Sequence, residues 1–225
     1  MSKEIQREHN VKGIVIEGDC GKTEDCQRCV RQTIEAFGGI DIVIGNAGWT
    51  KFSKFDDLDA LTYEEWDQAF HTNVLGQHAL FKEALPTFNS NAEGGVFITT
   101  SSIAGKTVFG SSMAYSVTKS AQLHLIKCLA KTQGPKVRVN AVLPGLMLTE
   151  WGRQLTEEQI SGLQEQAVLK KETDIGDCAD AYLSIAKNSS MTGQFIHVGR
   201  CRVVAKCKDE SADSMPDSGL FVEHL

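Results

Sequence analysis

Apolar positions fall into two rhythms that alternate along the chain. Short runs of four to seven residues, Val11 to Glu17, Asp41 to Ile44, Val96 to Thr100, Val137 to Leu143 and Thr192 to Val198, read as strands. Between them the apolar residues recur every three or four positions, as in Cys26, Val30, Ile34 and Phe37, or Val117, Ala121, Leu125 and Leu129. That period predicts helices with one buried face. Thr23, with Glu24 and Asp25 behind it, is a candidate cap for the first of these, and Gly38-Gly39 is its stop. Thr62-Tyr-Glu-Glu65 is a capping box that opens a long helix through Phe70, Val74, Ala79, Phe81 and Leu85, with Pro86 near its end. The helix around Tyr115 stops at Gly134-Pro135; two more run from Glu157 to about Val168 and from about Gly176 to Ala186.

Strands that alternate with helices predict an α/β fold, a doubly wound parallel sheet, in a single domain over residues 1–205. Residues 206–225 hold the Ser-rich acidic stretch DESADSMPDSG, which has no apolar period and predicts disorder.

Composition narrows the function. Hydrophobic residues make up 41% of the 225 and charged residues 23%, enough apolar material for a large core. The net charge of −6 and the lack of a Lys/Arg block leave nucleic-acid binding without an electrostatic footprint. No apolar run approaches the roughly 18 residues a membrane span needs, and MSKEIQREHN lacks the apolar core of a secretory signal. A cytoplasmic location is the expectation. Seven scattered cysteines fit reduced thiols; Cys26-Gln-Arg-Cys29 has the spacing of a metal or redox motif but no second pair, so no metal site is expected.

The candidate chemistry lies in SSIAGKTVFGSSMAYSVTK, Ser101 to Lys119. Ser102 falls at a strand end and Tyr115 at a helix start, with Lys119 one turn further on the same face. An ammonium beside a phenol favours the phenolate and brings a group of pKa near 10 toward proton exchange at neutral pH. A Tyr-x-x-x-Lys arises by chance in roughly one chain in five of such composition, so the pair alone decides little. Its company decides more: Gly45-Asn46-Ala47-Gly48 upstream and Pro144-Gly145-Leu-Met147-Leu-Thr149 downstream.

Together these motifs resemble the short-chain dehydrogenase/reductase family, and the resemblance implies a Rossmann-like fold. It implies Ser102, Tyr115, Lys119 and Asn73 as catalytic residues, Asn73 holding a water linked to the lysine. It also implies Asp19, Asn46, Ala47, Gly48, Tyr115, Lys119, Pro144, Gly145, Met147 and Thr149 as contacts to NADP or NAD. The expected activity is hydride transfer between that cofactor and a carbonyl or secondary alcohol of a small substrate. Trp49, Phe52, Phe109, Leu146, Met147 and Trp151 give that substrate a mild apolar preference, although each is also a candidate for plain packing. Residues 146–171 match the family's mobile lid. The two long helices match those that pair family subunits, so a homodimer or homotetramer is expected.

One part of the pattern is missing. The resemblance begins near Val11, at the family's third strand, and about forty preceding family residues, including the glycine-rich turn that cradles the pyrophosphate, have no counterpart. This predicts an N-terminally truncated sheet and impaired cofactor binding, with a non-catalytic fold-mate as the alternative function. The Val11 strand is expected to pair beside the Asp41 strand, to be paired by another chain, or to stand as an open edge. The ending Val198-Gly199-Arg200-Cys201 also departs from the family's Asp-Gly-Gly.

Overall fold

The computed structural model describes residues 2–199. The predicted tail and the Arg200-Cys201 departure lie outside the described residues.

Four parallel strands form one sheet in the order β1 (Ile42–Gly45), β2 (Gly95–Thr100), β3 (Val137–Pro144) and β4 (Phe195–Val198). Ile44 pairs with Ile98, Ile98 with Asn140, and Val142 with Ile196, so the strand ends align along one rim. The helices are α1 (Ser2–His9), α2 (Thr23–Phe37), α3 (Tyr63–Phe70), α4 (Gly76–Ser90), α5 (Met113–Gln133), α6 (Glu157–Gln166) and α7 (Ile175–Lys187). α2, α4 and α5 pack on one face of the sheet, where Val30, Phe81, Phe88 and Ile126 meet Val43, Phe97 and Val139. α7 covers part of the other face, with Cys178 and Ile185 against Val96, Ile98 and Val142. Helices on both faces of a parallel sheet make the fold doubly wound, as the alternation of periods predicts.

Local chemistry accounts for most boundaries. Thr62 Oγ1 accepts from the Glu65 amide at 3.3 Å while Glu65 Oε2 accepts from the Thr62 amide at 2.9 Å, the predicted capping box. A second one, between Thr156 and Gln159, starts α6. Gly38 closes α2 in the left-handed region at φ 81°, which a residue with a Cβ resists.

Four expectations need correction. Residues 10–19 form no strand; without a ladder partner their amides have nothing to register against, and Val15 stays 76% exposed. The cap of α2 is Lys22, with Thr23 its first residue, and no side chain closes that end. The helix that opens at Thr62 is not continuous: five residues, His71–Leu75, make a π-helical turn between α3 and α4, and α4 carries Pro86 in its interior as far as Ser90. The buried face of α5 is shifted from the predicted one, although Leu129 is buried and Leu125 packs against the core as expected. Lys119, Gln122, Leu123 and Ile126 point inward while Val117 is 42% exposed, because polar partners across the sheet draw Lys119 and Gln122 in.

Candidate active site

β2 ends at Thr100, and the chain then turns through Ser101 and Ser102 into a short 3-10 turn, Ile103–Gly105. Ser102 Oγ accepts from the Ala104 amide at 3.1 Å, which fixes the side chain where the strand stops. α5 starts with Ser112, whose hydroxyl accepts from the Tyr115 amide at 3.2 Å. This cap sets the start of α5 so that the phenol of Tyr115 lies near Ser102, whose hydroxyl acts to lower its pKa. Lys119 sits one turn on, its Nζ 5.4 Å from the centroid of the Tyr115 ring. That amine donates to the Thr100 carbonyl at 2.7 Å and lies 3.5 Å from Gln122 Oε1. Sequence spacing therefore identifies three side chains that the fold does bring together at one strand end.

Asn73 is fully buried in the π-helical turn. Its Oδ1 accepts from the Trp49 amide at 2.7 Å, and its Nδ2 donates to the Trp49 carbonyl at 3.0 Å and to Thr118 Oγ1 at 2.9 Å. The side chain thus clamps the loop after the Gly45 to Gly48 turn to α5. Its backbone carbonyl accepts from Gln122 Nε2 at 3.0 Å.

Burial governs the protonation states. It pushes the Tyr115 phenol up to about 12, with the Ser102 hydrogen bond pulling the other way, and pushes Lys119 down to about 7. The expected lowering of the phenol by the ammonium is therefore not what this arrangement produces on its own: a low dielectric disfavours both charged forms, and among the described residues no carboxylate offsets the cost at Lys119. At neutral pH the phenol is neutral, and burial favours the uncharged form of the amine beside it.

The turn from Gly45 to Gly48 lines the rim beside this group. A Cβ on Gly45 would lie 1.7 Å from Gln77 Oε1, so that position admits only glycine without rearrangement. A Cβ on Gly48 would stand 3.4–3.7 Å from Asn73 Oδ1, Lys119 Nζ and Trp151, which places Gly48 directly over the lysine. Ala47 accepts from Gln77 through its carbonyl at 3.2 Å. Asn46 Oδ1 accepts from Thr100 Oγ1 at 2.7 Å, and Thr100 Oγ1 also meets the Tyr182 hydroxyl at 2.6 Å. Pro144 ends β3, and Gly145 donates its amide to the Val198 carbonyl at 3.0 Å. Met147 packs into the core between β2 and α7, and the Thr149 carbonyl accepts from the Arg153 amide at 2.9 Å. Asp19 is exposed; its Oδ1 accepts from the Gly21 amide at 2.8 Å in a turn that packs against Thr72 and Gly76.

A cavity of about 600 Å³ opens at Ser102. Phe52, Phe55, Phe109, Leu146, Leu155 and Leu163 give it apolar walls. On the other side the indole of Trp151 stands edge-on to Tyr115, centroids 6.0 Å apart at 83°. Phe55, Leu155 and Leu163 were not candidates in the sequence, since nothing in a loop or lid helix distinguishes a cavity wall from ordinary packing. Gln77, Thr99 and Gln122 were also missed; the available signal was a polar residue on an inward helix face, as Gln122 is three residues after Lys119. Cys26 Sγ lies 3.6 Å from the Cys20 carbonyl, and Cys29 Sγ borders Gly18.

A doubly wound sheet with a Ser-Tyr-Lys group at the carboxyl ends of its strands is the layout of a nicotinamide-dependent oxidoreductase. A family model described as Enoyl-(Acyl carrier protein) reductase matches residues 1–200. The dehydrogenase/reductase SDR family member 4 of Homo sapiens is 33% identical over 184 residues, which is 80% of this chain and 65% of that protein. The 3-oxoacyl-(acyl-carrier-protein) reductase of Staphylococcus epidermidis is 28% identical over 192 residues, 84% of this chain and 77% of that one. Among solved structures, an NADPH-dependent 3-quinuclidinone reductase from Rhodotorula rubra superposes with a TM-score of 0.79 at 26% identity, covering 88% of this chain and 74% of the other. The chain belongs to the short-chain dehydrogenase/reductase family, whose members are NAD(P)-dependent oxidoreductases. None of the helices among the described residues is long and apolar enough to cross a membrane.

Proposed function

We propose that the chain catalyses hydride transfer between NAD(P) and a carbonyl or secondary alcohol of a small apolar compound, with Tyr115 as general acid/base. The observation that carries this reading is the Tyr115 phenol lying close to Ser102, which lines the cavity of about 600 Å³, with Lys119 beneath the phenol ring.

Gly48, Asn46 and Pro144-Gly145 would line the nicotinamide end of the cofactor, and Asp19 the adenine end. Gly48 fits that role, since any side chain there would fill the space over Lys119. The phosphate end fits less well: the sequence has no glycine-rich turn, and among the described residues no strand lies beyond β1. When bound, the cofactor supplies or accepts the hydride. Ser102 then holds the substrate oxygen, Tyr115 gives or takes the proton on that oxygen, and Lys119 supplies the charge that favours the phenolate once its amine is protonated. Asn73 keeps the Trp49 loop and α5 in register around them.

A second reading, a fold-mate that keeps the site without catalysis, is favoured by the bare side of β1. Oxidation of NADPH and NADH followed with a panel of apolar ketones and aldehydes separates the two. Turnover that Tyr115→Phe abolishes supports the enzyme, and no turnover at saturating cofactor supports the fold-mate. A homodimer or homotetramer formed through α4 and α5, where Val117 offers an exposed apolar side chain, accompanies the first reading. A monodisperse monomer at micromolar concentration by light scattering would contradict it.

A further inference from the structure

The amine of Lys119 is 2% exposed with its residue and, among the described residues, has no carboxylate partner. Its acceptors are the Thr100 carbonyl and one carboxamide oxygen, that of Gln122. Gln122 is itself fully buried, and every hydrogen bond around it points one way. Its nitrogen donates to the Asn73 carbonyl at 3.0 Å and to Thr99 Oγ1 at 2.9 Å. Thr99 must accept there, because its own hydroxyl hydrogen goes to Gln77 Oε1 at 3.1 Å. Gln77 in turn spends its nitrogen on the Ala47 carbonyl at 3.2 Å. Rotating the Gln122 amide by half a turn would set N–H groups against the ammonium and an oxygen against a carbonyl. The oxygen is thereby locked toward Lys119.

We propose that Gln122 is a positioning residue for Lys119: its oxygen holds the amine beneath the Tyr115 ring and stabilises its protonated form. This rests on the role given to Lys119 above. A buried cation without a counter-charge depends on neutral acceptors, and hydrogen bonds to charged groups are the stronger kind. The link between Asn73 and Lys119 is then a side chain, where the family resemblance supplies a water. The groups facing the amine are Tyr115 on α5, Thr100 at the end of β2, Gly48 and Asn73 on the β1 side, and Trp151 from the lid; of these only Tyr115 titrates, and burial is the one resolved cause of the Lys119 shift.

The test reads Lys119 directly and needs no turnover. The chain is labelled with ¹³C,¹⁵N-lysine, the Lys119 signal is assigned by its loss in Lys119→Met, and its midpoint is followed by NMR from pH 5.5 to 9.5. Gln122→Met keeps the length and removes the acceptor, so the midpoint falls by about one pH unit; Gln122→Glu adds an anion and raises it by about one unit or more. A folded Gln122→Met protein whose Lys119 midpoint stays within about 0.3 units of the parent overturns the proposal. If Gln122→Met does not fold, Gln122→Glu decides, and an unmoved or lowered midpoint there overturns it as well. A Tyr115→Phe chain with undiminished turnover would sink the catalytic reading and leave this titration intact, so the two failures are distinguishable.

Discussion

β2 and β1 are neighbours in one sheet, yet only β2 is covered on both sides. Phe97 faces α4 and Ile98 faces α7, and neither exposes any surface. In β1 the side chains alternate: Val43 is buried under α2 and α4, while Ile42 and Ile44 are 45% and 48% exposed on the opposite face. Residues 10–19 run outside the sheet and do not cover them. The catalytic candidates hang from the finished half, where Lys119 and Tyr115 are held by bonds to β2 and its turn. Under the proposed function, the phosphates of the dinucleotide would lie toward the β1 side, away from these bonds. The proposed function therefore makes proton chemistry and cofactor retention separable, and each can be attacked alone.

The largest effect expected is on the finished half. Tyr115→Phe removes the proton donor without altering the fold, and turnover at saturating cofactor should fall by roughly 10² to 10⁴; retention of near-normal turnover would remove Tyr115 from the mechanism. On the other half, titration of the 225-residue chain with NADPH or NADH by calorimetry should give a dissociation constant in the millimolar range. Losing helix-dipole and charge-assisted contacts worth about 2 kcal/mol and 1.5–3 kcal/mol each moves a micromolar site that far. Micromolar binding with defined stoichiometry would show that some other segment or a partner chain holds the phosphates.

Stability gives a smaller but cleaner contrast. Ile98→Ala should cost about 2–5 kcal/mol in urea unfolding. Ile44→Ala, one strand away and half-exposed, should cost about 1 kcal/mol or less. Equal losses would mean that β1 is covered in solution by something, a second copy included. The least conspicuous effect comes from Lys119. Its folded pKa of about 7 lies below the value of 10.5 it has unfolded, so between those limits the unfolded chain binds more protons and stability rises with pH. The gain is on the order of 1 kcal/mol per pH unit above 7. Measurements are best kept below pH 10, where Tyr115, raised to about 12, starts to act in the opposite sense. In Lys119→Met the rise between pH 7 and 9.5 should vanish; an unchanged slope would place the lysine in water.

How much of this was legible in the sequence differs between the same two halves. The β2 to α5 stretch carried short-range signals: an apolar run, and a Tyr and Lys one helical turn apart. Those are local rules, and the fold obeys them. Strand character at Val11 was equally plain in the residue pattern, yet a strand exists only if another strand donates and accepts along its length, and that is not a property of seven residues. The Gln77–Thr99–Gln122 chain was invisible for a related reason, since three polar residues far apart in sequence carry no mark that they will meet in the core.

The π-helical turn at His71–Leu75 has a consequence for how this protein tolerates insertions and deletions. An α-helix advances about 100° per residue, and a π-turn amounts to one residue added without lengthening the axis in proportion. α3 and α4 are therefore out of phase by that angle, and this lets Asn73 reach Trp49 and Thr118 while Gln77, four residues on, reaches Ala47 and Thr99. Deleting any one residue from His71 to Leu75 would restore a regular helix, with better intrahelical bonding, and would turn one of those two amides away from its partners. Regularity of the helix and satisfaction of these two buried amides are therefore in competition here.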